Sequence, residues 1–167
     1  VGVDGTAGSV EALRWAAHEA ARRSWPLHVV SCAEIPVTLD AGLMGGIAGA
    51  PALGGIVHDH ELVNERAVDA ARSFGLDIRV SGETVLGAPA FALSAMSQPN
   101  GLVVVGATSH PTRLTDVLGS VASVVAHRAR GAIAVIHGTA SPSGDVQRIV
   151  VGVDGSLPSD AALRWAT

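Results

Sequence analysis

An open, doubly wound α/β sheet is the architecture this sequence predicts, and three observations predict it. Short runs of strand length, such as Leu102-Val103-Val104-Val105, are continuously apolar, as strands covered on both faces must be. Segments with helical periodicity separate these runs in turn, the order that builds five parallel strands with helices on both faces. The glycine-punctuated stretch from Gly106 to Ser123 leaves one run and enters a helix, which is where such sheets receive ligands.

Taken in order, Val1-Gly2-Val3-Asp4-Gly5 is the end of a strand that stops at a carboxylate and a turn. Ser9 is placed to cap the next helix, whose apolar face is Ala12, Leu13, Ala16, Ala17 and Ala20 and whose wet face is Arg14, Glu19, Arg22 and Arg23. Leu27 to Ala33 is the second strand. Pro36 to Val57 has neither period and reads as a long loop. Its uncharged part, Ala41 to Val57, holds six glycines and a proline and is shorter than the roughly 20 residues of a membrane span. A helix stripe of Leu62, Val63, Ala67, Ala70, Ala71 and Phe74 then runs from Asp59 to Phe74 and ends at Gly75. Ile78 to Val85 is the third strand. Pro89 opens a short helix carrying Phe91, Leu93 and Met96. Leu102 to Val105 is the fourth strand, Ser120 to Arg128 a helix and Ala132 to Ile136 the fifth strand.

Thr139 to Asp145 is rich in Ser, Gly and Pro and reads as a linker. Beyond it the chain repeats itself: Val151 to Ala166 matches Val1 to Ala16 at eleven aligned positions. The expected organisation is a domain over 1–138, a linker over 139–147 and the start of a second, homologous domain over 148–167. In that second copy Ile149 to Val153 reads as a central strand, with Leu163 and Trp165 to bury on the helix that follows.

Composition narrows the chemistry. The net charge is −4 with no basic cluster, which argues against a nucleic-acid footprint. All eleven basic residues are arginine, so a lysine nucleophile, a Schiff base and a Walker lysine are excluded. Cys32 is the single cysteine, without a disulfide partner, and a reducing cytoplasm is its simplest setting. His58-Asp59-His60-Glu61 lacks the second histidine of a zinc-helix motif and reads as the opening of a helix. His127 and His137, at element ends, read as satisfied or surface side chains, and Trp15 and Trp165, recurring in the repeat, as packing residues. No Ser-His-Asp or Cys-His spacing is present, so no catalytic residue is assigned and at most slow turnover is expected.

The ligand chemistry lies in the loop. Backbone N–H groups at a helix start have no intrahelical acceptor, the helix dipole favours an anion there, and glycine permits close approach. Asp4, Val29–Val30 and the Gly106 loop all lie at or near carboxyl ends of strands and point to one crevice. Arg113, the cation of that loop, either neutralises a phosphate or is solvated.

Val1-Gly2-Val3-Asp4-Gly5-Thr6, Val85-Leu86-Gly87-Ala88-Pro89 and the spacing of Gly106 to Gly119-Ser120 together resemble the universal stress protein family in its tandem, ATP-binding form. The resemblance implies a Rossmann-like sheet of order 3-2-1-4-5. It implies that Asp4, with Gly5, and Val29 hold the adenosine end of ATP. Val105, Gly106, Thr108, Ser109, Arg113, Gly119, Ser120 and Val121 would then hold ribose and phosphates, with Mg2+ as the accompanying metal. It further implies a homodimer or intramolecular pseudo-dimer serving a stress-response regulator, read by a protein partner and not by nucleic acid or membrane. Two positions depart from the family pattern: Ser109 stands where its second loop glycine belongs, and Ala122 where a hydroxyl residue often follows. They leave open a second reading, an interaction and dimerisation module that binds no nucleotide.

Overall fold

The computed structural model describes residues 1–34, 50–107, 119–138 and 150–166. Parallel strands and covering helices alternate along it: β1 (Gly2–Val3), α1 (Ala7–Arg23), β2 (Leu27–Ala33), α2 (Ala50–Ser73), β3 (Val80–Leu86), α3 (Pro89–Met96), β4 (Leu102–Gly106), α4 (Ser120–Arg128), β5 (Ala132–Ile136) and α5 (Leu157–Ala166). β2 pairs along its whole length with β3, Leu27 opposite Val80 and Ala33 opposite Leu86, while Gly2 of β1 lies opposite Val30. β4 and β5 pair from Leu102 opposite Ala132 to Gly106 opposite Ile136.

The ladders therefore form one three-stranded sheet, β1-β2-β3, and one two-stranded sheet, β4-β5. The rung between β1 and β4 that would join them in the order 3-2-1-4-5 is not among those observed. A two-residue strand offers a second neighbour at most about one rung, and Val105 of β4 lies beside Gly2 of β1.

Strand parity divides the core into two. Leu27 and Val29 of β2 and Val104 of β4 pack with Leu13 and Ala17 of α1 and Val68 and Ala71 of α2. Val30, Cys32 and Val105, one residue out of phase, pack with Leu93 of α3 and Ala122 and Val125 of α4 on the other face. Asn64 of α2 ties its layer down by donating from Nδ2 to the carbonyls of Val29 at 3.1 Å and Glu83 at 2.9 Å.

Four local expectations are corrected. α2 begins at Ala50, so residues 50–57, expected in a loop, are helical; Gly54 and Gly55 each cost about 1 kcal/mol of propensity, but extending an existing helix avoids the cost of nucleating one. β3 begins at Val80, not Ile78, because the Ile78 N–H turns back to the carbonyl of Leu76 at 2.9 Å. Glu19, expected on the wet face, is buried, with Arg22 at 2.8 Å and Arg23 at 2.5 Å satisfying one carboxylate oxygen each. Residues 150–154 pair with no strand among those described, and Val150 and Val153 are exposed. Trp15 packs against the core as expected, whereas its counterpart Trp165 stays 45% exposed. No helix among the described residues is long and apolar enough to cross a membrane.

Candidate functional site

The crevice lies past the carboxyl ends of β1, β2 and β4, between the starts of α1 and α4, and encloses about 370 Å³. Its apolar wall is Val30, Cys32, Pro89, Leu93 and Val105; its polar rim is Asp4, Thr6, Ser9, Gly119 and Ser120. Such a mixture of apolar lining and a few placed polar groups suits a small ligand with an aromatic and a charged part.

Asp4 ends β1 and is held by the turn into α1. Its Oδ1 accepts from the Thr6 hydroxyl at 2.6 Å and the Thr6 N–H at 3.0 Å, while its own N–H donates to Ser9 Oγ at 3.3 Å. Partial burial pushes the carboxyl up, but the Thr6 hydroxyl and N–H and the Ser9 hydroxyl outweigh it, so the group stands below its ordinary value and is ionised at neutral pH. Thr6, not Ser9, is the N-cap of α1: its Oγ1 accepts from the Ser9 N–H at 3.3 Å, and Ser9 Oγ donates back to the Thr6 carbonyl at 2.9 Å. The same network recurs in the repeat. There Ser156 donates its N–H to Asp154 Oδ1 at 2.9 Å, and Asp154 N–H points to Ser159 Oγ at 3.4 Å.

Opposite Asp4, α4 starts without a side-chain cap. Its N-cap is Gly119, at φ 72°, a left-handed value natural only to glycine. The first backbone bond of the helix is Ser123 N–H to the Gly119 carbonyl at 3.1 Å, so the N–H groups of Ser120, Val121 and Ala122 have no intrahelical acceptor. Gly106 closes the floor, in backbone contact with Gly8 at the start of α1.

Of the residues singled out from sequence, Asp4, Val105, Gly106, Gly119, Ser120 and Val121 come together on this wall. Val29 does not. Its side chain is fully buried in the opposite core layer, because the crevice takes the other parity of β2 and receives Val30 and Cys32 instead. Gly5 also lies off the wall, facing Val63 of α2. Thr108, Ser109 and Arg113 lie outside the described residues. Val30, read with Val29 as the strand end facing the crevice, does line it, while sequence reasoning missed Thr6, Cys32 and Leu93. A Thr-x-x-Ser spacing after Asp4 was a legible signal for the first, whereas the others depend on strand parity.

Cys32 is buried against this crevice, and burial, then the charges of Glu34 and Glu83, push its thiol above the usual range. His58-Asp59-His60-Glu61, expected to open a helix, lies inside α2, which begins at Ala50: His58 Nδ1 lies 3.7 Å from Glu61, and the His60 carbonyl accepts from Ser31 Oγ at 2.9 Å. Among the described residues no three His, Cys, Asp or Glu side chains converge as a metal site.

Comparison with known proteins places this geometry. The sequence profile of the universal stress protein family matches residues 1–137. The universal stress protein Rv2005c of Mycobacterium tuberculosis is 31% identical over 169 residues, covering 97% of this chain and 56% of that protein. A universal stress protein of Mycolicibacterium smegmatis is 29% identical over 177 residues, 99% of this chain and 57% of that one. The chain thus spans a little over half the length of the curated relatives it matches. Among solved structures, a universal stress protein in complex with cAMP aligns with a TM-score of 0.61 at 23% identity, covering 82% of this chain and 94% of the other. The hypothetical protein MJ0577 aligns at 0.65 and 13% identity, covering 84% and 94%. At these identities the structural likeness speaks for the fold.

Proposed function

The chain belongs to the universal stress protein family, and from that premise we propose that the crevice between Asp4 and the start of α4 holds an adenine nucleotide whose presence a protein partner reads in a stress response. One observation carries the reading: an uncapped helix start opens onto a crevice whose far rim holds an ionised carboxylate. Backbone donors for phosphate thus face an acceptor suited to ribose hydroxyls or an adenine amino group, across an apolar wall suited to the base. The solved family structure in complex with cAMP supports an adenine ligand.

ATP is the nucleotide that the family resemblance implies. The described crevice does not fit a dedicated Mg2+ cage, since it supplies one carboxylate, Asp4, with one oxygen already engaged by Thr6; Mg2+ would arrive on the phosphates of the nucleotide. Residues 148–167 open a second homologous unit, joined by the linker 139–147, and the two units pair as a pseudo-dimer, or two chains as a homodimer. A lone thiol suits a cytoplasmic setting.

Cys32, the single thiol, makes the test direct. Saturating adenine nucleotide is expected to slow maleimide alkylation of Cys32 at least about tenfold, because a bound ligand covers the crevice and stabilises the closed native state. An alkylation rate unchanged by adenine nucleotides would overturn the reading in favour of an interaction and dimerisation module without a ligand.

A further inference from the structure

We infer that the C-terminal end of α1 is a docking surface for the opening helix of the repeat: Glu19, Arg23 and Trp25 of the first unit receive the indole of Trp165 on α5. The inference rests on the reading of residues 148–167 as the start of a second unit and is independent of any nucleotide in the crevice.

The surface is built within one turn of sequence. α1 ends in Arg22 and Arg23, cations placed where the carbonyl end of a helix favours them. Both reach back to the buried carboxylate of Glu19, Arg22 at 2.8 Å and Arg23 through Nε at 2.5 Å. One buried anion between two cations leaves a positive surplus and fixes the Arg23 guanidinium in place. The chain then turns back at Ser24, which at φ 54° is the one non-glycine residue in the left-handed region among those described. Its N–H bonds to the Ala21 carbonyl at 3.2 Å and that of Trp25 to the Ala20 carbonyl at 2.9 Å. This turn sets the Trp25 ring against the guanidinium, with 5.0 Å between ring centroid and guanidinium carbon. A serine held where glycine rests without cost marks a turn that its surroundings dictate.

Trp165 completes the arrangement. The same guanidinium carbon lies 4.6 Å from its ring centroid, within the roughly 6 Å over which the face of an indole, the strongest aromatic partner, attracts a cation. α5 needs such a hold. It has 10 residues, fewer than the roughly 12–15 that let a helix persist alone in water, and its Leu157 and Leu163 are exposed. Trp15, the equivalent of Trp165 in the first unit, packs instead against the core of that unit. One position of the repeat thus serves inside a unit in the first copy and between units in the second. The 17 residues of α1 span about 25 Å, and the crevice residues Thr6 and Ser9 lie at its other end, so the docked helix leaves the crevice open.

Hydrogen exchange followed by mass spectrometry on the 167-residue chain tests this, with β2, residues 27–33, as the internal control for the fold of the first unit. Arg23→Gln and Trp25→Leu, both outside α5, are expected to speed exchange of residues 157–166 at least about threefold and to leave 27–33 unchanged. Trp165→Leu is expected to do the same, and adding Arg23→Gln to it to gain less than about a further twofold, because the two substitutions remove one contact. Trp25→Leu keeps both bonds to Glu19, so it carries the test where Arg23→Gln disturbs 27–33. Exchange of 157–166 that neither Arg23→Gln nor Trp25→Leu changes overturns the docking. Protection of 157–166 that falls away on dilution also overturns it and assigns the cover to a second copy of the chain. Either failure leaves the repeat, and with it the second-unit reading, standing.

Discussion

A methyl group on Gly106 would lie 2.5 Å from the carbonyl carbon and oxygen of Gly8 and 2.9 Å from the Ser9 nitrogen. These are backbone atoms of the first turn of α1, so no side-chain rotation relieves the overlap; either β4 or α1 must shift. From sequence alone this glycine belongs to the ligand loop, and the close contact gives it a structural duty as well. Gly106→Ala is expected to destabilise the chain by about 3 kcal/mol, the upper part of the usual range for overpacking. Gly54→Ala is the matched control, because nothing lies within 4 Å of the added methyl in α2, and it should stabilise by about 0.5–1 kcal/mol through helix propensity. Urea denaturation of the two variants checks both signs; an unchanged midpoint for Gly106→Ala would refute the backbone contact.

The turn that starts α1 is a unit of three side chains. Asp4 receives two bonds from Thr6, Thr6 caps the Ser9 N–H, and Ser9 returns to the Thr6 carbonyl and the Asp4 N–H. Its copy at Asp154, Ser156 and Ser159 closes the same way, and there the Ser156 donors hold the aspartate at about 2. A carboxyl depressed in the folded state favours folding above its unfolded value of about 3.9, and that contribution disappears as the pH falls through the folded value. Thr6→Ala removes both the cap and the hydroxyl bond to Asp4. It is expected to cost about 1 kcal/mol at pH 7, and less at pH 2.5, where the parent has itself begun to lose the Asp4 contribution. Denaturation of parent and variant at the two pH values decides: equal losses would assign the whole effect to the cap and none to the carboxylate.

At the scale of the molecule, the repeat is folded locally but not packed as its counterpart is. Leu13 of α1 is 2% exposed, whereas its equivalent Leu163 in α5 is 46% exposed, and Val150, Val153 and Leu157 are open as well. One contact back to the first unit is made by Trp165, whose ring lies 4.6 Å from the Arg23 guanidinium; that guanidinium also stacks at 5.0 Å on Trp25. Apolar side chains exposed in this number drive association with any complementary surface. The 167-residue chain is therefore expected to self-associate in light scattering, and a chain ending at Gly138 to lose that association while keeping its melting temperature within about 3 °C. Monomers at both lengths would show that the exposed face of 150–166 recruits no partner of its own kind.

Much of the fold was legible because its signals are local. Leu27–Ala33, Ser120–Arg128 and Ala132–Ile136 have the bounds read from periodicity, and the spacing from Gly106 to Gly119-Ser120 carried the family resemblance. The polar rim at Asp4, Gly119 and Ser120 was legible for the same reason: turns and helix starts announce themselves in a few consecutive residues. The apolar wall was not. β2 is apolar on both faces, so its sequence says that each face is covered without saying which one borders the crevice, and only packing against α3 and α4 turned Val30 and Cys32 toward it and Val29 away. The same limit explains the strand expected at Ile149 to Val153. The residues themselves determine strand propensity in both copies of the repeat, but a ladder needs a neighbour, and β2 supplies one to Gly2–Val3 whereas no described strand supplies one to residues 150–154.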